Sequence, residues 1–334
     1  MTIARNSSAE ARLPKTFVTS LFFGLSILVA APAWSALPAD SIFVRHIRGG
    51  FGETLGFDTH VPTSAYACGI VGVAALGGDI NEDDDGDILY AFAYQQSGNW
   101  WIKADFRSHR DDHETWDLTL LCAKRAVANL GGPGSSSVPL FFQTYTNRGD
   151  NVDYDTGYST ASYVCGIVGY EALDGDINEN GSGTILRMYM YPSLGRWRIR
   201  ADFRTHHDNE NWNRIDVLCA RTSVATIGTP STSSSKDVFL KEYFGLASNG
   251  FFNTGISTSS FVCGLVGMEA YDGDIEEHGK GDILQAYAYR QSGTWWIRSD
   301  FRTHNNHENW NMKLLCIKSG PASWQAPLPL ACGT

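Results

Sequence analysis

Basic residues are in short supply. Lys and Arg number 26 against 36 Asp and Glu, for a net charge of −10. A duplex nucleic-acid binder presents a basic face to phosphates, so nucleic acid is not expected as a partner. Long apolar runs are missing beyond the first 36 residues, and no transmembrane span is expected in the mature chain. Helical periodicity is scarce. No phosphate-cradling glycine loop, nucleophile elbow or dinucleotide fingerprint occurs. Wholesale disorder is excluded, because 43% hydrophobic against 19% charged residues suffices for packed cores. Aromatics, by contrast, are plentiful, with 10 Trp, 14 Tyr and 17 Phe.

Residues 1–36 read as a secretory signal. Arg5, Arg12 and Lys15 give a basic start, Phe17 to Ala30 is mainly apolar, and small residues follow at Ala31, Ala33, Ser35 and Ala36. The expected localisation is therefore secreted: extracellular, periplasmic or on the cell surface.

The remainder is one unit written three times. Tyr66-Ala-Cys68-Gly-Ile-Val-Gly72 recurs as Tyr163-Val-Cys165-Gly-Ile-Val-Gly169 and as Phe261-Val-Cys263-Gly-Leu-Val-Gly267. A second motif, Trp101-Ile-Lys-Ala-Asp-Phe-Arg-Ser-His109, recurs from Arg198 and from Trp296. The period of 97 and then 98 residues exceeds that of a solenoid repeat and suits a small domain. Gly/Ser/Pro/Thr tracts at 129–137 and 228–235 read as flexible linkers. The expected domains are 38–128, 138–226 and 237–320, followed by a Pro-rich tail over 321–334. Cys pairs spaced by 54, 54 and 53 residues predict Cys68–Cys122, Cys165–Cys219 and Cys263–Cys316. Each bridge would stabilise by roughly 4 kcal/mol in the chain-entropy model. Cys332 is left over, as a free thiol or for intermolecular pairing.

Each copy contains a hairpin with strand alternation. Trp295, Ile297, Ser299 and Phe301 share one face; Trp296, Arg298, Asp300, Arg302 and His304 share the other. Keeping the faces unmixed sets a register of Tyr289 with Trp296, Tyr287 with Arg298 and Gln285 with Asp300. The second copy then pairs Tyr191 with Arg198, Tyr189 with Arg200 and Arg187 with Asp202; the first pairs Tyr94 with Trp101, Phe92 with Lys103 and Tyr90 with Asp105. The expected fold is all-β: three tandem copies of a disulfide-linked antiparallel sandwich or barrel of five to seven strands.

Three constellations could carry chemistry. The first is the outer hairpin face: Tyr94, Trp101, Lys103, Asp105, Arg107 and His109; Tyr189, Tyr191, Arg198, Arg200, Asp202, Arg204 and His206; Tyr287, Tyr289, Trp296, Arg298, Asp300, Arg302 and His304. Flat rings beside hydrogen-bonding charges suit a sugar, whose C–H faces stack while its hydroxyls bond to Asp and Arg. The competing reading is an ordinary cross-strand ladder. The second is the acidic turn before the hairpin, with Asp79, Asn81, Asp83 and Asp85; Asp176, Asn178 and Asn180; Asp274 and Glu276. It offers oxygen ligands for calcium but lacks the closing acid of an EF-hand loop. The third is His304, His307 and Glu308, with metal or acid–base potential and a spacing that drifts between copies. The expected function is an exported, multivalent, lectin-like protein binding a glycan or cell-surface ligand, with calcium the one cofactor considered. The alternatives are a secreted hydrolase using the His/Asp/Glu cluster and a structural surface or matrix repeat.

Overall fold

A computed structural model describes residues 36–49, 56–78, 80, 87–107, 115–134, 138–173, 175–178, 183–205, 210–276, 282–304 and 307–329. Residues 1–35 of the signal-like segment and Cys332 lie outside these. No helix occurs among the described residues.

Each repeat makes seven strands. The first holds β1 (Ile42–Gly49), β2 (Phe57–Pro62), β3 (Tyr66–Leu76), β4 (Asp87–Gln96), β5 (Asn99–Phe106), β6 (Thr115–Lys124) and β7 (Ala128–Leu130). The second holds β8 (Leu140–Arg148), β9 (Val152–Ser159), β10 (Tyr163–Leu173), β11 (Thr184–Ser193), β12 (Arg196–Phe203), β13 (Asn211–Arg221) and β14 (Ala225–Ile227). The third holds β15 (Val238–Ala247), β16 (Gly250–Ser257), β17 (Phe261–Tyr271), β18 (Leu284–Gln291), β19 (Thr294–Phe301), β20 (Asn309–Lys318) and β21 (Ala322–Pro329).

The hairpin register is the expected one in all three copies, Tyr289 opposite Trp296, Tyr191 opposite Arg198 and Tyr94 opposite Trp101. Its cause is local. Ser97-Gly98, Leu194-Gly195 and Ser292-Gly293 all have positive φ, the type I′ geometry whose twist matches a two-residue hairpin. Alternation does the rest: β5 and β12 bury every second residue, and Trp100, Trp197 and Trp295 are all buried. All three disulfides form as expected, each joining directly opposed residues of neighbouring strands at a Cα separation of 4.1 Å.

The sequence reading did not anticipate how the repeats combine. The sheet orders are β16-β19-β18-β3-β6-β1-β21, β2-β5-β4-β10-β13-β8-β7 and β14-β15-β20-β17-β11-β12-β9. Every sheet therefore takes four strands from one repeat and three from the next, with the third repeat passing its strands back to the first. The expected all-β units with their disulfides are present, but they are interleaved. The described parts of the two linkers are hydrogen-bonded and do not hang free: Gly131 N–H donates to Phe142 and Gly228 N–H to Leu240. Of the stretch set apart as a Pro-rich tail, Ala322–Pro329 forms β21, which pairs in parallel with β1 as β7 does with β8 and β14 with β15. Its prolines are tolerated because it is an edge strand. The described residues accordingly fall in one compact unit.

Equivalent residues of the three repeats meet on a pseudo-threefold axis. Phe106, Phe203 and Phe301 pack mutually, with ring centroids 6.1–6.3 Å apart. The glycine after each first cysteine interlocks the copies in a cycle. A Cβ on Gly69 would lie 2.6 Å from Val168, one on Gly166 2.5 Å from Val266, and one on Gly264 2.5 Å from Val71. Only glycine permits that approach.

Two outcomes follow. Gly264→Ala should lower stability by about 1–3 kcal/mol, the usual range for overpacking, and Val71→Ala on the opposing repeat should relieve part of that loss in a double-mutant cycle read by denaturant unfolding. Trp295→Ala should lower stability by about 3–5 kcal/mol as a buried large-to-small change, whereas Trp296→Ala, on the half-exposed face, should alter it far less.

Candidate functional site

The exchange creates three pseudo-equivalent grooves, one at each sheet. Each lies between the inner hairpin strand of one repeat and two strands of the next. The first, about 440 Å3, includes Tyr94, Gln95, Thr144, Arg214 and Asp216. The second, about 220 Å3, includes Tyr189, Tyr191, Pro192, Phe244, Glu269 and Lys313. The third, about 300 Å3, includes His46, Arg48, Asp117, Tyr287, Tyr289, Arg290 and Trp324. The second glycine of each motif lies at the foot of the groove wall. A Cβ on Gly72 would crowd Tyr287 and Thr119, one on Gly169 Asp216, and one on Gly267 Tyr189 and Lys313.

Aromatic rings are the shared feature. Tyr189 and Tyr191 sit 6.0 Å apart, Tyr287 and Tyr289 5.8 Å, and Phe92 and Tyr94 5.9 Å. The opposite wall varies. Asp117, Arg214 and Asn311 hold one equivalent position, and Thr119, Asp216 and Lys313 another. In the first groove Arg214 lies 4.4 Å over the Phe92 ring and donates to Asp216 at 2.8 Å, which also accepts from Thr144 at 2.6 Å. Burial raises the Asp216 carboxyl above its ordinary pKa despite those donors. In the second, Lys313 donates to Glu242 and faces the Tyr189 ring. In the third, His46 lies 3.5 Å from Asp117 and 3.3 Å from the Thr119 hydroxyl.

The candidate hairpin residues divide. Tyr94, Tyr189, Tyr191, Tyr287 and Tyr289 line the grooves. Others form a ladder on the hairpin. Tyr90 donates to Asp105 at 2.8 Å, and Lys103 lies 4.5 Å over the Tyr90 ring. Trp101 packs with Tyr94 around Gly56. Arg187 bridges Asp202 and Glu269. Arg198 donates to Asp153 at 2.7 Å, Tyr191 donates to it at 2.9 Å, and Arg200 lies 3.8 Å away. Burial alone would raise Asp153, but these donors hold it below its ordinary value. Arg298 donates to Gln285 and to Asp300, both at 2.8 Å, and Trp296 donates to the Thr294 hydroxyl at 3.1 Å. Arg107 and Arg204 point elsewhere. They fasten one repeat to the next by donating to the carbonyls of Gly175 and Gly273. Arg302 holds the equivalent position and is buried, whereas His304 is exposed. His109 and His206 lie outside the described residues.

Glu210 and Glu308 are buried, and their oxygens are engaged. Glu308 accepts from the Phe301 N–H at 3.2 Å and the Thr303 hydroxyl at 2.7 Å. Glu210 accepts from the equivalent Phe203 and Thr205. These carboxylates therefore tie the hairpin end to the following strand. In the acidic turns, Asn178 and Glu276 N–H groups donate to Arg204 and Arg302 carbonyls, beside bridges of Ile177 with Thr205 and Ile275 with Thr303. Asp176 and Asp274 sit in these same turns. Asp79, Asn81, Asp83, Asp85 and Asn180 lie outside the described residues. Among the described residues no three His, Cys, Asp or Glu side chains cluster as a metal site would need.

Sequence reasoning missed the far wall of every groove, because the neighbouring repeat supplies it. One signal was available. The positions three and five residues before the second cysteine change chemistry between copies while their apolar neighbours hold. No protein-family model matches the chain, and no curated protein matches it.

Asp300 gives a pH signature. Burial, opposed by Arg298 and helped by Glu308 and Asp282, pushes its carboxyl up from 3.8 to about 6. A carboxyl raised on folding stabilises most below its unfolded value and loses that contribution as pH rises through its folded value. The melting temperature of Asp300→Asn relative to wild type should therefore climb between about pH 4 and pH 6, the window between those two values. A difference constant with pH would contradict this.

Proposed function

We propose that the protein is an exported, non-enzymatic, trivalent binding protein for glycans. The observation that carries this reading is the recurrence of an aromatic-lined groove at three pseudo-equivalent positions. Pyranose rings offer apolar C–H faces to such rings, and the Arg, Asp and Lys groups beside them suit hydroxyls. Three grooves held on one body raise avidity through effective concentration, and only for ligands whose spacing matches. The signal-like start and the three disulfides support export to an oxidising compartment. No described helix is long and apolar enough to cross a membrane. The hydrolase alternative is weakened because Glu210 and Glu308 already spend both oxygens within the fold.

A glycan array probed with and without chelator tests the reading and its calcium dependence together. Saccharide binding is expected, and the triple variant Tyr94→Ala/Tyr191→Ala/Tyr289→Ala should lose it. Loss of one stacked ring should weaken a single groove by about tenfold, or about 1.4 kcal/mol. Binding to no saccharide under either condition would favour the structural-repeat alternative.

A further inference from the structure

We propose that the third groove, between β18, β6 and β1, selects an anionic sugar, one bearing a carboxylate or a sulfate. This rests on the glycan-binding reading and adds a substrate class for one of its sites.

The inference comes from comparing the three grooves at equivalent positions. The first sets one base against one acid: Arg214 is tied to Asp216 at 2.8 Å. The second sets Lys313 against Glu242 and Glu269, and Glu269 is also paired with Arg187 at 2.8 Å, so its charges do not lean basic. The third alone leans basic, with Arg48 and Arg290 against the single carboxylate of Asp117. Both arginines are exposed. Gln95 and Pro192 stand where Arg290 does, and Thr146, opposite Arg214, stands where Arg48 stands opposite Asp117. His46 lies 3.5 Å from Asp117 on the same wall.

The chemistry is specific. A guanidinium presents paired N–H donors that match the two oxygens of a carboxylate or sulfate, which a lone ammonium does not. Aromatic surface lies beside the arginines. Tyr287 and Tyr289 come from the hairpin, and Trp324, braced edge-on against Trp295 at 5.2 Å, comes from β21. A ring can stack there while its anionic substituent meets the arginines. The volume of about 300 Å3 falls at the lower end of small-ligand sites, about 300–1,000 Å3. In a chain of net charge −10, a basic groove stands out as a place where anions can approach.

The test uses the disulfide-intact chain and matched oligosaccharides on one backbone in neutral, uronic-acid and sulfated forms, titrated by calorimetry at low and high salt. At least one anionic form should bind about tenfold tighter than the neutral form at low salt, the gap shrinking as salt rises. Arg48→Gln/Arg290→Gln should abolish that preference without moving the melting temperature. Equal affinity for neutral and anionic forms would overturn this inference while leaving the glycan reading standing. Binding of none of the three would overturn both. Comparing the two anionic arms shows which group the arginines read.

Discussion

Every sheet in this molecule is completed by the neighbouring repeat, and the close approach of Gly69 to Val168, Gly166 to Val266 and Gly264 to Val71 is the contact that locks the cycle. The rest depends on it. Backbones can come this near only where the side chain is absent, so the motif glycine is fixed by packing geometry. With the repeats locked, the three phenylalanines pack against one another at tilted and edge-on angles, and Arg107 and Arg204 reach carbonyls of the following repeat. One edge strand of each repeat's central trio is then covered. β21 covers β1, and β14 and β7 cover β15 and β8, so the last strand of each repeat shields the first strand of the next.

The same exchange explains why the candidate sites belong to no single repeat. The hairpin supplies a nearly constant aromatic wall. The next repeat supplies a wall that varies, from Arg214 and Asp216 to Lys313 and Glu242 to His46 and Asp117. A common frame with one interchangeable wall allows three grooves to differ in ligand chemistry without disturbing the core. The charged groups of the outer hairpin face serve mainly to hold the sheet edge. Asp153 gathers Arg198, Arg200 and Tyr191, and Arg298 joins Gln285 to Asp300.

What the sequence made legible was local. Period-two alternation placed Trp295 inside and Trp296 outside, keeping those faces unmixed set the hairpin register, and equal cysteine spacing named the disulfides. The exchange was not legible, for a physical reason. Each copy offers the same Cys-Gly-x-Val-Gly edge, so β4 could satisfy its pattern on β3 of its own repeat as well as on β10 of the next. Nothing in one copy distinguishes the two. The strand at 322–329 was hidden by its prolines, which weaken a strand pattern yet fit an edge. Trp324 and the β1 side of the third groove were lost with it. The arginines after each Asp-Phe looked like site residues because they continue the hairpin alternation, although at Arg107 and Arg204 the structure uses them as fasteners.

Interleaving makes a thermodynamic demand that separate beads would not. If every sheet needs two repeats, no repeat can melt alone. Differential scanning calorimetry of the disulfide-intact chain measures this directly, through the ratio of calorimetric to van't Hoff enthalpy. The interleaved fold predicts one transition with a ratio of about 1, the two-state value. Separate transitions, or a ratio of about 3 as expected for three independently melting two-state units, would contradict it.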